Sequence, residues 1–210
     1  MRRRDVLRAG AAGIVGAALA GCLAPRAGGF DEGFEAGIGD WETDAAIGPE
    51  VDVADFEWTI DVSGEEAYTG ERSLRIANGG DYDDGVSWAV HPIPVDPGRA
   101  YTATATAQFW SESESFNTLR DAVFRLGPDA PETEEEFPNP GVNTTQLGET
   151  PYGGLREPLW LTDGWREYAF EWTTPVLETD TLYVALGTSV IWEGDATHYV
   201  DDVSVTLQPR

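Results

Sequence analysis

"YTATATAQFW", Tyr101 to Trp110, alternates without a fault. In an extended chain successive side chains point to opposite faces. Tyr101, Ala103, Ala105, Ala107 and Phe109 therefore share one side, and Thr102, Thr104, Thr106, Gln108 and Trp110 share the other. One set is apolar and the other polar, as in a strand with one face on a core and one toward water. A helical period would mix the two sets.

The same rhythm runs outward in both directions. Phe56, Trp58, Ile60 and Val62 alternate with Glu57, Thr59 and Asp61. "SLRIA" (Ser73 to Ala77) puts Leu74 and Ile76 inward, and "VSWAV" (Val86 to Val90) does so with Val86, Trp88 and Val90. "AVFRL" follows at Ala122 to Leu126, then "REYAFEW" with Tyr168, Phe170 and Trp172 on one face, then "LYVAL" with Leu182, Val184 and Leu186. Trp58, Trp88 and Trp172 fall on these apolar faces and read as structural. No stretch reads as an amphipathic helix, while 24 glycines and 13 prolines supply turns. With 210 residues, 41% of them hydrophobic, the chain can bury a real core. The expectation is an all-β antiparallel β-sandwich of jelly-roll type, one domain over residues 30–210. Residues 127–157 break the rhythm, with an acidic run at Glu134–Glu136 and several prolines. A loop this long inside a compact domain is functional or mobile.

The last apolar stretch, "HYVDDVSVTL" (His198 to Leu207), carries an anomaly. Strict alternation places Asp201 in one row with Tyr199, Val203, Val205 and Leu207, a carboxylate among core residues. Asp202 then faces outward and takes no role.

The first residues are a targeting segment and stand outside the fold. Arg2, Arg3 and Arg4 precede a weakly apolar Ala- and Gly-rich stretch far shorter than a membrane span. "RRDVL" (Arg3 to Leu7) resembles a twin-arginine export signal, and "LAGC" (Leu19 to Cys22) resembles a lipobox. The resemblance implies residues 1–21 as signal peptide, lipid on Cys22, and a tether over residues 22–29. Cys22 is the only cysteine, so no disulfide forms within the chain. Removing residues 1–21 takes four of 13 bases and one of 38 acids, leaving 9 and 37, a net −28. Every base is arginine. A shell so acidic repels itself in dilute salt and is screened within about 3 Å at molar salt. That balance resembles the proteins of extreme halophiles. It also excludes nucleic acid as a partner.

Four landmarks, in order along the chain, resemble the jelly-roll carbohydrate-binding modules of the cellulose- and xylan-binding (CenC-like) type, with a galactose-binding-like fold. They are "GFEAGIGDWE" (Gly33 to Glu42), "AYTGERSLRI" (Ala67 to Ile76), "VDPGRAYTATATAQF" (Val95 to Phe109), and "DGWREYAFEW" (Asp163 to Trp172) leading into "YVDDVSV". The resemblance implies a structural calcium tying the first strand to the last, with Glu35 and Asp201 at the matching positions. A divalent cation offsets the cost of a buried carboxylate. Backbone N–H groups, or an arginine such as Arg72, are the alternatives.

It further implies a non-catalytic module that binds carbohydrate. Sugar sites set aromatic faces against pyranose rings and orient hydroxyls with amides and carboxylates. Trp110, Gln108 and Thr106 on the polar face of "YTATATAQFW" have that character, on what would be the concave sheet of related modules. Tyr82, Tyr152, Trp160 and Trp192, in loops, are further candidates. Asn143 opens an "NTT" glycosylation sequon. No catalytic residue is assigned. Carboxylate pairs for glycoside hydrolysis arise by chance in so acidic a chain, no serine elbow is found, and of the two histidines His198 reads as a strand-end residue. The expected molecule is a monomer on the outer face of the cell membrane, attached by its lipid anchor only. The alternatives are a structural or adhesive surface protein without sugar affinity and, with less support, a glycan-acting enzyme.

Overall fold

The computed structural model describes residues 28–47, 57–79, 85–111, 119–159, 164–191 and 195–210. Among the described residues twelve strands lie in two sheets, and every strand pair is antiparallel. The first sheet contains β10 (Arg166–Thr173), β6 (Tyr101–Ser111), β12 (Ala196–Pro209), β4 (Ser73–Gly79) and β3 (Glu57–Ser63) in that order, with β1 (Gly28–Glu32) also paired to β12. The second runs β2 (Glu42–Ile47), β5 (Gly85–Pro94), β11 (Thr181–Ile191), β7 (Leu119–Gly127), β9 (Gly153–Pro158) and β8 (Val142–Asn143). Among the described residues the only helical pieces are two 3-10 turns, Glu134–Glu136 and Thr144–Gln146. The molecule is the expected β-sandwich. Gly28 and Gly29, assigned to the tether, already pair with Leu207 and Thr206 in β1.

Between the sheets β6 presents Ala103, Ala105 and Ala107, all fully buried. Their small size leaves room for Tyr168, Phe170 and Trp172 on the neighbouring β10, and Phe170 meets Phe124 of the second sheet edge to face at 5.1 Å. Each such aromatic or large aliphatic side chain contributes roughly 1.5–3 kcal/mol on burial.

Alternation misplaces two stretches. In β5, Ala89 and Ile93 face the main core, whereas Val86, Trp88 and Val90 belong to a second cluster with Val123, Ala185 and Phe137. That cluster covers the outer face of the second sheet. The segment 128–141 lies over it, with Phe137 edge-on to Trp88 at 5.3 Å. Arg156 fastens the cover, 2.8 Å from Glu134 and 3.3 Å from Asp121. Much of the long aperiodic loop is thus a packed cover. Trp58 is half-buried at a sheet edge, and only Trp172 of the three tryptophans lies in the main core.

The second misplacement is in β12. Tyr199 pairs with Trp110 and Asp201 with Gln108, but the register against β6 shifts between Asp201 and Ser204. Asp202 sits at φ +46°, in the left-handed region, as one residue of a β-bulge. Before the bulge Tyr199 and Asp201 face outward with Trp110 and Gln108. After it Val203, Val205 and Leu207 face the core. Asp201 is therefore not in the core row.

Candidate functional site

The outer face of the first sheet carries the polar row of β6, and strand pairing extends it sideways. Trp110 lies beside Tyr199, Tyr199 beside Arg75, and Arg75 beside Asp61. Trp110 and Tyr199 stack with centroids 5.4 Å apart and planes 24° off parallel. Trp165, just ahead of β10, approaches Trp110 at 6.2 Å, and Tyr68 approaches Trp165 at 5.8 Å. Four aromatic rings thus form an arc, with Trp110 and Trp165 half-buried and Tyr68 exposed. Stacked and edge contacts of this kind hold ring faces at fixed angles.

Polar groups border the arc. Arg75 grips Asp61 through two bonds of 2.8 and 2.7 Å and lies 3.6 Å from Glu65. Donating to Asp61 holds the guanidinium more firmly charged than usual. The Tyr199 hydroxyl donates to Glu65 Oε2 at 3.2 Å. Gln108 is half-buried on the same face, one pair further along, and Thr106 one pair beyond it.

The loop 64–72 passes over Asp201 and buries it completely. Asp201 Oδ2 accepts from the Tyr68 and Thr69 N–H groups at 2.9 and 3.0 Å, and Oδ1 from the Asp202 N–H at 2.8 Å. Glu35 Oε1 takes the next two donors of the loop, Glu71 N–H at 2.7 Å and Arg72 N–H at 2.9 Å. Gly70 between them stands at φ +68°, and a Cβ there would collide with Glu35 Oε1. Burial pushes the Asp201 carboxyl above the usual range, against the opposing pull of these N–H bonds.

Glu35 and Asp201 do converge on one corner, as the calcium reading requires. Their donor set does not fit an ion as folded. A calcium needs several oxygens around it, yet both Asp201 oxygens and Glu35 Oε1 meet N–H groups. Among the described residues no three acidic or imidazole side chains gather where an ion could sit. The backbone N–H alternative is the one this geometry realises, and Arg72 joins through its own N–H rather than its guanidinium.

Other candidates disperse. Tyr152 lies under Arg125, 4.8 Å from the guanidinium, away from the aromatic arc. Tyr82, Trp160, Trp192 and Cys22 lie outside the described residues. Asn143 spends both amide hydrogens in the fold, on Glu157 Oε1 at 2.9 Å and Ala169 O at 3.0 Å. Thr145 of the same sequon accepts from Glu171 N–H at 2.8 Å. The two side chains occupy free backbone groups of the edge strand β10, a known liability for sheet proteins. The nitrogen a glycan would need is engaged in the two Asn143 bonds. His198, the third residue of β12, is fully buried, and burial with nearby Arg120 pushes its imidazole down to about 3.

The structure places Trp110 and Gln108, both expected from the sequence, on one face with Trp165, Tyr68 and Tyr199, which the sequence did not single out. Tyr199 was hidden by the bulge. Trp165 and Tyr68 stand at strand and loop ends, where no periodicity flags them.

No family model matches the chain, and no curated protein is similar to it in sequence. Solved structures are similar in fold. One is a carbohydrate-binding module of the β-sandwich superfamily, described for promiscuous specificity, with TM-score 0.51 and 19% identity over 81% of this chain. This chain spans 59% of that one. Another is the K3 cleaved adhesin domain of Lys-gingipain from Porphyromonas gingivalis, with TM-score 0.54 and 15% identity, covering 87% of this chain and 99% of that domain. A module solved with β-1,4-galactotriose gives TM-score 0.47 at 13% identity, over 82% and 92% of the two chains. The class defined is thus an antiparallel β-sandwich of the kind found in carbohydrate-binding modules.

Proposed function

We propose that the chain is a non-catalytic surface module that binds carbohydrate on the outer face of its first sheet. The arc Tyr199–Trp110–Trp165–Tyr68 carries this reading, since Trp110, Trp165 and Tyr68 are partly or fully exposed rings backed by the buried Tyr199, with Gln108, Arg75 and Asp61 as polar groups on the same face. Among the described residues Phe137 and its segment cover the outer face of the second sheet, whereas Trp110, Gln108 and Arg75 stay partly exposed on the outer face of the first. The carbohydrate-binding modules similar in fold support the same class of ligand. The test is a glycan array in molar NaCl, followed by calorimetry on the hits. Trp110→Ala is expected to weaken binding at least roughly tenfold, about 1.4 kcal/mol. If the wild type retains no glycan, the reading fails.

A purely adhesive role is the second reading, favoured by the likeness to the gingipain adhesin domain. An enzyme has less support, because Asp61 and Glu65, the carboxylates beside the arc, are tied to Arg75 and Tyr199 rather than free for proton transfer. Export, lipid on Cys22, residence on the outer membrane face, monomeric state and adaptation to high salt belong to the same proposal. They rest on the N-terminal motifs and the charge balance. Cys22→Ser is expected to release the protein into the medium or leave it uncleaved, by fractionation and intact mass. Normal processing with membrane retention would remove the lipid reading.

A further inference from the structure

The loop that closes over Asp201 also supplies one end of the aromatic arc. Tyr68 contributes its backbone N–H to Asp201 and its ring to Trp165. Three residues earlier, Glu65 receives the Tyr199 hydroxyl and flanks Arg75. The loop is tied down at Tyr68, Thr69, Glu71 and Arg72, all by backbone N–H bonds to two carboxylates. Such bonds fix the backbone without using the Tyr68 side chain, so its ring stays free to face a ligand. Asp202 adds one more tie, accepting from the Thr69 hydroxyl at 2.6 Å.

We infer that Glu35 and Asp201 are positioning residues of the carbohydrate site, holding Tyr68 against Trp165 so that the arc is preformed. This rests on the carbohydrate reading for its ligand, but the positioning itself can be read without one. A preformed site does not spend binding free energy on ordering a loop, at about 0.5–1.5 kcal/mol per immobilised side chain. A loop released from its two carboxylates would have to be ordered by the ligand.

The test uses Asp201→Asn, Glu35→Gln, Tyr68→Ala and the double variant Asp201→Asn/Tyr68→Ala. All are measured in molar NaCl, well below their melting temperatures. Calorimetry against β-1,4-linked hexaoses of glucose, xylose and galactose reads Kd and stoichiometry separately. Asp201→Asn and Glu35→Gln are expected to raise Kd roughly three- to tenfold at unchanged stoichiometry. The double variant should bind no more weakly than Tyr68→Ala, because both changes remove the same ring. A merely structural role would lower the bound fraction and leave Kd alone, and that result overturns the inference. Without ligand, amide exchange over residues 66–72 should quicken in Asp201→Asn, with a shift in tryptophan emission from Trp165. If those two signals move while the wild type binds none of the hexaoses, the carbohydrate reading has failed and the positioning stands. If neither signal moves, the positioning fails.

Discussion

Asp201→Ala is expected to destabilise the fold by about 3–5 kcal/mol, read as the urea midpoint at fixed molar NaCl. The carboxylate is fully buried and accepts three backbone N–H groups, from Tyr68, Thr69 and Asp202. Truncation strands all three, and a buried donor without an acceptor costs roughly 1–3 kcal/mol. The loop 64–72 can lift to hydrate some of them, which keeps the total below the simple sum. Asp201→Asn retains one carbonyl acceptor and should fall between. Asp202→Asn tolerates the left-handed backbone of that position and keeps an acceptor for the exposed Thr69 hydroxyl, so it should cost under about 1 kcal/mol. Chelation by EDTA is expected to leave the wild-type melting temperature unmoved at the same NaCl concentration. A drop in the wild type that Asp201→Asn abolishes would put a cation back in this corner.

How Asp201 came to look like a core residue is also how sequence reading reached its limit. The alternation of "YTATATAQFW" was sound, because β6 is unbroken over its length and one of its faces is buried against the second sheet. From that stretch and its neighbours the sandwich was legible. β12 reads the same way on paper, yet a one-residue bulge at Asp202 exchanges its faces, and nothing in a residue pattern marks a bulge of that size. β5 failed for another reason. Val86, Trp88 and Val90 are apolar on the outer face because residues 128–141 fold back over them, and alternation cannot tell a core from a covered outer surface. The candidate site was half legible. Trp110 and Gln108 lie on a regular strand, whereas Tyr68 and Trp165 are 97 positions apart in sequence and meet only through the loop closure and the start of β10.

Acid should expose a second buried device, at the opposite end of the polarity scale. Wild-type stability at fixed molar NaCl is expected to fall by about 3 kcal/mol between neutral pH and about pH 4, and His198→Leu should remove most of that slope. His198 is fully buried, and neither ring nitrogen has a hydrogen-bond partner among the described residues. Burial first, and the charge of Arg120 second, push its imidazole from 6.5 down to about 3. The sign follows from proton counts. Below about pH 6.5 the unfolded chain binds a proton on His198 and the native one does not, so falling pH favours unfolding until the native pKa is reached. At roughly 1.4 kcal/mol per pH unit the full window has a ceiling near 4–5 kcal/mol. Asp121 and Asp201 act the other way. Burial raises both carboxyls above their ordinary range, so their contribution grows as pH falls toward the unfolded value and is lost as pH rises. Lower pH also relieves repulsion among 38 acids, a gain that molar salt already provides. Of these terms only His198 makes acid destabilising, so the difference between wild type and His198→Leu isolates it. Parallel stability profiles for the two proteins from neutral pH down to about pH 4 would mean that the imidazole is protonated inside the native sandwich, and the device would be gone.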